Sequence, residues 1–148
     1  MRIEIATIDA LNHALGLLRS QFDEHEIFVP LEELSSATGT LLSDPKRGAV
    51  LLAYDPAPVG LAVLAYTLTL EHGGPVAWLD ELFVVPECRT RGTGLALLRR
   101  AIEVAKQAGC RAVDLEVDAD HVRAEHLYER QGFRRLSRNR WVKRLETQ

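Results

Sequence analysis

The amino-acid sequence predicts a mixed α/β fold, in which a central, mostly antiparallel sheet of six to seven strands is flanked by about four helices. Short apolar or alternating runs indicate the strands, and apolar residues spaced three and four apart indicate the helices. The two kinds of segment are interleaved, and no repeat or linker interrupts them. With 148 residues, of which 47% are hydrophobic, the chain suits a single domain, residues 1–148, with a substantial core.

The first part of the chain is predicted to form one strand and two helices. Residues 2–6 alternate polar and apolar side chains, as a half-buried strand does. Thr7 or Asp9 can cap the first helix, which ends near Asp23, and Pro30 suits the start of the second. The apolar faces of the two helices comprise Leu11, Ala14, Leu15, Leu18 and Phe22, and Leu31, Leu34, Thr38, Leu41 and Leu42.

The middle of the chain is predicted to form three antiparallel strands. Residues 49–54 form a buried strand, and residues 59–70, rich in apolar and β-branched side chains, form its hairpin partner. Residues 76–85 form the next strand. Turns at residues 55–58 and 71–75 separate the strands, because proline fixes φ and cannot donate to a ladder.

A third helix and a further strand follow. The helix starts after Gly94 and ends near Ala108, where Gly109 is a helix stop. Residues 110–117 alternate as a strand, so residues 76–117 form a strand–helix–strand unit with a right-handed parallel crossover. From this helix, we expect the sheet to be contacted by Leu95, Leu98, Ile102 and Ala105.

The end of the chain is predicted to contain a fourth helix and two strands. Asp118 or Asp120 caps the helix, residues 121–131, which ends at a glycine. Residues 133–136 and 141–144 then complete the sheet, separated by a polar turn.

Composition and charge exclude several classes of function. The formal net charge is −3, from 18 basic and 21 acidic residues, which argues against nonspecific binding of nucleic acid. Cys88 and Cys110 are too few for a four-cysteine site, and no nearby histidine pattern completes one, so no metal is expected. No signal peptide precedes the first strand, and the longest apolar run, residues 59–66, is too short for a bilayer. We expect a cytoplasmic protein with reduced thiols and no membrane partner.

Residues 84–98 carry the clearest functional signal. An apolar strand stops at Pro86, a short basic turn with two glycines follows, and an amphipathic helix begins. Such an arrangement presents free backbone N–H groups and the positive end of a helix dipole, which together bind phosphate. Residues 89–94 are called the glycine turn below.

Three phosphate-binding patterns contain glycines of this kind. A Walker A loop needs Lys-Ser/Thr after its last glycine, but Gly94 is followed by Leu-Ala. A dinucleotide fingerprint fits Gly92, Gly94 and the acid Asp114, but Leu97 occupies the third glycine position and little chain remains for a second half-fold. It stays open as a weaker alternative. The third pattern, Arg/Gln-x-x-Gly-x-Gly/Ala, matches the glycine turn fully.

With this pattern, the chain resembles the GNAT (Gcn5-related) N-acetyltransferase superfamily over nearly its whole length. Residues 80–86 are similar to the family's fourth strand, and the glycine turn to its acetyl-CoA pyrophosphate site. The stretch Ala124-x-x-Leu127-Tyr128-Glu129-x-x-Gly132-Phe133 is similar to the family's C-terminal motif. The resemblance implies the GNAT acyl-CoA N-acyltransferase fold, acetyl-CoA as cosubstrate, an amine acceptor, and direct transfer in a ternary complex.

The resemblance also implies where acetyl-CoA binds. The pantetheine arm would lie beside the fourth strand, where it splays from the fifth, and the pyrophosphate would bind N–H groups of the glycine turn. Many relatives carry an asparagine at the position of His121, and imidazole can still donate a hydrogen bond there. The predicted cofactor-binding residues are Phe83, Val84, Val85, Arg89, Thr90, Arg91, Gly92, Thr93, Gly94, Leu95, His121, Ala124 and Tyr128.

Acetyl transfer to an amine needs a base, an oxyanion donor and an acid for the leaving thiolate. The resemblance implies that Tyr128 is the acid. It also favours Asp80 as the base, with Glu81 as the second candidate; as neighbours in a strand, the two are expected on opposite faces. Either carboxylate can instead be an ordinary surface charge. An acyl intermediate on Cys88 has little support.

The segment between the first two helices usually lines the acceptor side in this family. Here it supplies Glu24, Glu26 and Phe28, the predicted substrate-binding residues, whose charge suits a polyamine, an aminoglycoside, or a lysine or N-terminal amine. A solvated loop is an equally good interpretation of this segment. A non-catalytic acyl-CoA-binding regulator on the same fold is the alternative function, and residues 141–144 can pair across a homodimer.

Overall fold

A computed structural model describes residues 1–146 of the chain. They fall into two compact units, Met1–Leu115 and a second unit that begins at Glu116, and the extent of a single domain stays a prediction. In the first unit the elements are β1 (Arg2–Ile5), α1 (Leu11–Glu24), α2 (Leu31–Ser43), β2 (Gly48–Tyr54), β3 (Pro58–Thr69), β4 (Gly74–Val84), α3 (Thr93–Gln107) and β5 (Val113–Asp114). The second unit contains α4 (Val122–Arg130).

The sheet of the first unit has the strand order β1-β2-β3-β4-β5. The pairs from β1 to β4 are antiparallel, and β4 and β5 are parallel. The predicted mixed, mostly antiparallel sheet is therefore confirmed. Most of β2 and the first half of β3 are buried, as their nearly continuous apolar sequences require of strands covered on two faces.

Helices α1 and α2 cover one face of this sheet. Leu17 and Leu18 of α1 and Leu34 of α2 belong to one buried cluster with Val63 of β3 and Phe83 of β4. Burying each such side chain contributes about 1.5–3 kcal/mol. Of the predicted apolar faces, Ala14, Leu18, Leu34 and Thr38 are buried as expected, whereas Leu31 is 56% exposed and the buried Leu17 was not predicted.

Helix α3 covers the opposite face. It packs on β3 at Gly60, where an added Cβ would lie 2.9 Å from Leu97 Cδ1. Gly60 adjoins Leu61, which belongs to the cluster under α1 and α2, so alternation places Gly60 and α3 on the other side. The beginning of α3 is held closely against the sheet at this point.

The apolar stripe of α3 differs from the prediction. Leu98 and Ala105 are buried as expected, but Leu95 and Ile102 are only partly buried. Several apolar residues of α3 are neighbours in sequence. Helical spacing alone therefore does not determine which of them lie at the centre of the buried stripe. Its buried side is formed by Thr93, Leu97, Leu98, Ala101, Val104 and Ala105.

The predicted strand count is too high for the described residues, which contain five strands. Only Val113 and Asp114 of the predicted strand 110–117 pair with β4. Residues 133–136 and 141–144 form no strand. A strand forms only where a neighbouring strand supplies backbone hydrogen-bond partners. β5, with two residues, has few backbone N–H and C=O groups to supply. Pairing of residues 141–144 across a dimer stays a prediction.

Within residues 1–146, every helix is too short or too polar to cross a lipid bilayer.

Candidate active site

The glycine turn connects the end of β4 to the start of α3. A short 3-10 helix, Pro86–Cys88, leads into it, and Gly92 is the N-cap residue of α3 with φ 85°. As a glycine, Gly92 has no side chain with which to cap this end. The first helical hydrogen bond runs from the Ala96 N–H to the Gly92 carbonyl over 3.0 Å, so the N–H groups of Thr93, Gly94 and Leu95 precede the helical ladder. This is the geometry in which a helix N-terminus binds an anion.

The two glycines of the turn have different surroundings. A Cβ added at Gly92 would meet nothing within 4 Å, so this position opens away from the protein. A Cβ at Gly94 would lie 3.8 Å from Val84 Cγ2, an ordinary packing distance. Gly92 is therefore required for its left-handed backbone, while the backbone of Gly94 does not require glycine.

Arg89 is held by three groups of the first unit. Its Nε–H donates to the Val84 carbonyl over 2.9 Å, and its Nη2 lies 2.7 Å from Glu24 Oε2. Its guanidinium also lies 5.5 Å from the centre of the Phe83 ring. Residues predicted for the cofactor side and the acceptor side are thus joined by an ion pair. This ion pair could not be predicted from local spacing, because 65 positions separate the two residues.

The edge of β4 that faces away from β3 is only partly paired. β5 pairs with Ala77 and Trp78 alone, while β4 continues to Val84. Within residues 1–146, no strand pairs with this edge from Leu79 onward. Such an edge presents backbone donors and acceptors to which an extended molecule can add. The predicted pantetheine-binding residues Phe83 and Val84 lie in this part of β4.

A β-bulge interrupts β4 at the predicted base residues. Leu79 opposes Leu64 and Glu81 opposes Val63, so Asp80 is an extra residue in the ladder. Alternation of side chains between the two faces of the sheet therefore fails at this position.

Trp78 shows on which face Asp80 lies. Its indole N–H donates to Asp80 Oδ1 over 3.2 Å. Trp78 opposes Ala65, and Glu81 opposes Val63 two residues away in the same strand, so all three side chains lie on the face covered by α1 and α2. The prediction of opposite faces is wrong, because it assumed an unbroken strand. Trp78 was not among the residues predicted for the site. Its position two residues before Asp80, with a side chain that can donate a hydrogen bond, could have indicated it.

The segment after α1 exposes the other predicted acceptor residues. Glu26 has φ 57°, and the Ile27 N–H donates to the Phe22 carbonyl over 2.8 Å, which terminates the helix in a left-handed turn. Glu26 is exposed, and Phe28 is 84% exposed. A small surface cavity beside them is lined by Arg19, Phe22, Asp23, Ile27, Phe28 and Val29.

In the second unit, His121 is the N-cap residue of α4. Its Nδ1 accepts a hydrogen bond from the Ala124 N–H over 3.2 Å. The predicted capping by Asp118 or Asp120 is therefore wrong: the side chain nearest the open N–H groups is the imidazole, and it can accept only while Nδ1 is unprotonated. Two residues predicted for the cofactor, His121 and Ala124, bond to each other.

Tyr128 lies on α4 and is partly buried. Its ring packs edge-on against Phe133, with ring centres 5.7 Å apart. Burial raises the pKa of the Tyr128 hydroxyl above its ordinary value of 10.0, because the phenolate would lose hydration. The hydroxyl is therefore protonated at neutral pH and can act as a proton donor.

Comparison with known proteins identifies the family. The sequence matches the acetyltransferase (GNAT) family over residues 11–133. The chain belongs to the GNAT family. The resemblance found in the sequence is confirmed, and so is the assignment to the N-acetyltransferase class of enzymes. The dinucleotide-binding alternative is wrong, since the sheet has one parallel strand pair instead of two parallel halves.

GNAT relatives of known sequence cover different shares of the chain. A probable glucosamine 6-phosphate N-acetyltransferase of Oryza sativa subsp. japonica is 37% identical over 122 residues, which cover 77% of this chain and 73% of the rice protein. An uncharacterized N-acetyltransferase of Methanocaldococcus jannaschii is 47% identical over 58 residues, covering 39% of this chain but only 26% of that protein's length.

Solved GNAT structures share the fold. The aminoglycoside N-acetyltransferase AAC(6')-Iy, in complex with a CoA-linked bisubstrate analogue, superposes with a TM-score of 0.83 at 20% identity. The match covers 97% of each chain. At this identity the likeness concerns the fold. Within residues 1–146, no group of three histidine, cysteine or carboxylate side chains is arranged to hold a metal ion.

Proposed function

We propose that this GNAT protein transfers the acetyl group of acetyl-CoA to a primary amine, directly and within a ternary complex. One observation carries the proposal: among residues 1–146 no strand pairs with the outer edge of β4 from Leu79 onward, and the turn after β4 leads to the N-terminus of α3, where Gly92 has no side chain and faces open space. A molecule with a phosphate group and an extended amide-bearing arm fits both features, and acetyl-CoA has both.

The residues of the glycine turn and β4 would bind the cosubstrate. The pyrophosphate accepts hydrogen bonds from the N–H groups that precede the helical ladder of α3, and Arg91 adds positive charge. The pantetheine amides bond to the backbone of Phe83, Val84 and Val85. The solved aminoglycoside acetyltransferase, which has a similar fold, was crystallised with a CoA-containing analogue, which supports this choice of cosubstrate.

The chemistry needs one proton removed and one returned. The amine nitrogen attacks the thioester carbonyl, the C–S bond breaks, and a proton of the amine passes to a base while the thiolate takes a proton from an acid. We assign the base to Asp80, directly or through water, with Glu81 as the second candidate, since the bulge places both on one face. We assign the acid to Tyr128, whose raised pKa keeps it protonated.

The two base candidates can be separated experimentally. Asp80→Asn and Glu81→Gln each remove one carboxylate while preserving size. The acidic limb of the pH profile of kcat/KM reports protonation of the general base. This limb should disappear in the variant that lacks the base and should remain in the other variant. If both variants keep the limb, neither carboxylate is the base.

The acceptor is proposed to be a small cationic amine or a peptide amine. Exposed Glu26 supplies charge complementary to an ammonium group, and exposed Phe28 supplies an aromatic surface. The similar proteins named above are a probable glucosamine 6-phosphate N-acetyltransferase and an aminoglycoside N-acetyltransferase, which places polar amines first among the compounds to test. We place the reaction in the cytoplasm, consistent with two free cysteines.

The proposal is tested by measuring thiol release from acetyl-CoA against a panel of polyamines, aminoglycosides, amino sugars and peptides. Amine-dependent release with a matching acetylated product supports it. Tight binding of CoA without release across the panel would point instead to a non-catalytic acyl-CoA-binding regulator. Failure to bind CoA at all would refute both.

A further inference from the structure

We propose that the Glu24–Arg89 ion pair is a positioning link, which fixes the acceptor segment, residues 25–29, to the cofactor-binding turn. In this view Arg89 is not the phosphate ligand of its turn and Glu24 does not contact the acceptor. The inference rests on the proposed function for the identity of the two substrates. It reassigns two residues that the sequence places on separate sides of the site.

The guanidinium of Arg89 bonds to two segments at once. Arg89 donates from Nε to the Val84 carbonyl at 2.9 Å and from Nη2 to Glu24 at 2.7 Å, and it lies over the Phe83 ring. A planar group with donors in fixed directions can hold a strand end and a helix end together, whereas a lysine ammonium cannot reproduce this fork. The Arg89 and Glu24 side chains are 39% and 37% exposed, so the pair is partly shielded from solvent.

On both sides of the link, a non-glycine residue has a left-handed backbone conformation. Glu24 is the last residue of α1, and Glu26, two residues later, has φ 57°. Arg89 precedes Thr90, which has φ 67°. Non-glycine residues hold such angles only where surrounding contacts determine them, and the ion pair supplies one contact common to both segments.

The two arginines of the glycine turn differ in how much of their charge is available to a ligand. The Glu24 carboxylate offsets the charge of Arg89, which reduces the attraction that Arg89 can exert on a phosphate. Arg91 lies in the same turn, is exposed, and has no ion-pair partner among residues 1–146. Arg91 is therefore the side chain whose charge remains available for the pyrophosphate.

If the ion pair is a positioning link, its loss should affect the KM for the amine and the Kd for CoA differently. Glu24→Gln removes the ion pair but keeps the shape, and it should raise KM for the best amine about fivefold while changing the Kd for CoA less than about twofold. Arg89→Lys keeps the charge but loses the fork, and it should do the same. Because both act through one contact, the double variant should raise KM for the amine no more than the larger single change.

Arg91→Gln is the matched control. It removes one positive charge from the same turn without touching Glu24, so it should weaken CoA binding and leave KM for the amine unchanged. If Glu24→Gln and Arg91→Gln shift the same parameter, or if Glu24→Gln leaves KM for the amine at its wild-type value, the link is refuted.

A readout that does not depend on activity separates this inference from the proposed function. Hydrogen exchange on the full chain reports the Ile27 amide, which closes the end of α1 by bonding to Phe22. In Glu24→Gln this amide should exchange about fivefold faster, with β3 amides unchanged. Wild-type exchange at Ile27 would overturn the link even if the enzyme is active. Faster exchange without turnover of any amine would support the link and refute the proposed reaction.

Discussion

Replacing Gly92 with alanine tests whether the glycine turn is open for a ligand. Gly92 has φ 85°, and a Cβ built there meets nothing within 4 Å. The methyl group therefore causes no clash, and the folded chain bears only the intrinsic strain of a left-handed residue, about 1–2 kcal/mol. For a chain of this length, each 1 kcal/mol lowers Tm by roughly 2–4 °C.

Gly109 provides a control with the same geometry. It has φ 84°, and its Cβ would also meet nothing within 4 Å, but it follows the C-terminal end of α3. Gly109→Ala should therefore lose the same free energy of unfolding as Gly92→Ala. Only the methyl group at Gly92 would occupy space that the pyrophosphate needs, so only that variant should bind CoA at least about tenfold more weakly, a loss of about 1.4 kcal/mol.

Titration calorimetry gives the two Kd values, and thermal unfolding with CoA provides a second measurement. At a concentration about 100 times the wild-type Kd, CoA should stabilise the wild type and Gly109→Ala by about 2.7 kcal/mol. The same concentration should stabilise Gly92→Ala by only about 1.4 kcal/mol. Equal CoA affinity in both variants would show that no ligand closely approaches Gly92, and the proposed pyrophosphate site would be wrong.

Other changes test the remaining parts of the structure. Tyr128→Phe should lower kcat by about 100-fold with the Kd for CoA nearly unchanged, as expected for loss of a proton donor; unchanged turnover would remove Tyr128 from that role. Burial raises the pKa of Tyr128 and Tyr66, so the folded chain retains protons that the unfolded chain releases, and the free energy of unfolding should fall as pH rises past about 10; denaturant titrations between pH 8 and 11 would detect a flat profile if this is wrong. Glu26→Gly should raise the free energy of unfolding by up to about 1 kcal/mol, since glycine has no penalty at φ 57°, and no gain would mean that the turn is unstrained. Gly60→Ala should lower it by about 1–3 kcal/mol through the contact with Leu97, and wild-type stability would show that α3 shifts freely on the sheet.

The order of secondary-structure elements as far as residue 108 could be predicted because periodicity is a local property. β2, β3 and β4 contain long apolar runs between proline or glycine turns, and α1 and α3 repeat apolar residues at helical spacing. The bulge at Asp80 could not be predicted in this way. It depends on the pairing register with β3, which local sequence does not specify, and it reverses the conclusion about which face Asp80 occupies.

Two further failures concern contacts between distant segments. Residues 133–136 and 141–144 have the composition of strands, yet Trp141 and Val142 are 90% and 85% exposed and unpaired. Strand propensity measures how a side chain suits a pleated, half-buried surface, and it does not supply the neighbouring strand. The Glu24–Arg89 ion pair was missed for a related reason, since spacing within a helix or turn carries no information about a partner 65 positions away.

The pairing of β4 explains why the proposed cosubstrate site lies where it does. β4 pairs with β3 along most of its length but with β5 at two positions only, so its second half is an edge although its first half is internal. Exposed edges are usually blocked by short length, proline or charge, because they recruit other strands. The edge from Leu79 to Val84 carries charge at Asp80 and Glu81 but is otherwise apolar. The glycine turn begins where this edge ends. An edge whose last residues, 82–84, are apolar and lead into a phosphate-binding turn is expected when a ligand, instead of another strand, completes the sheet.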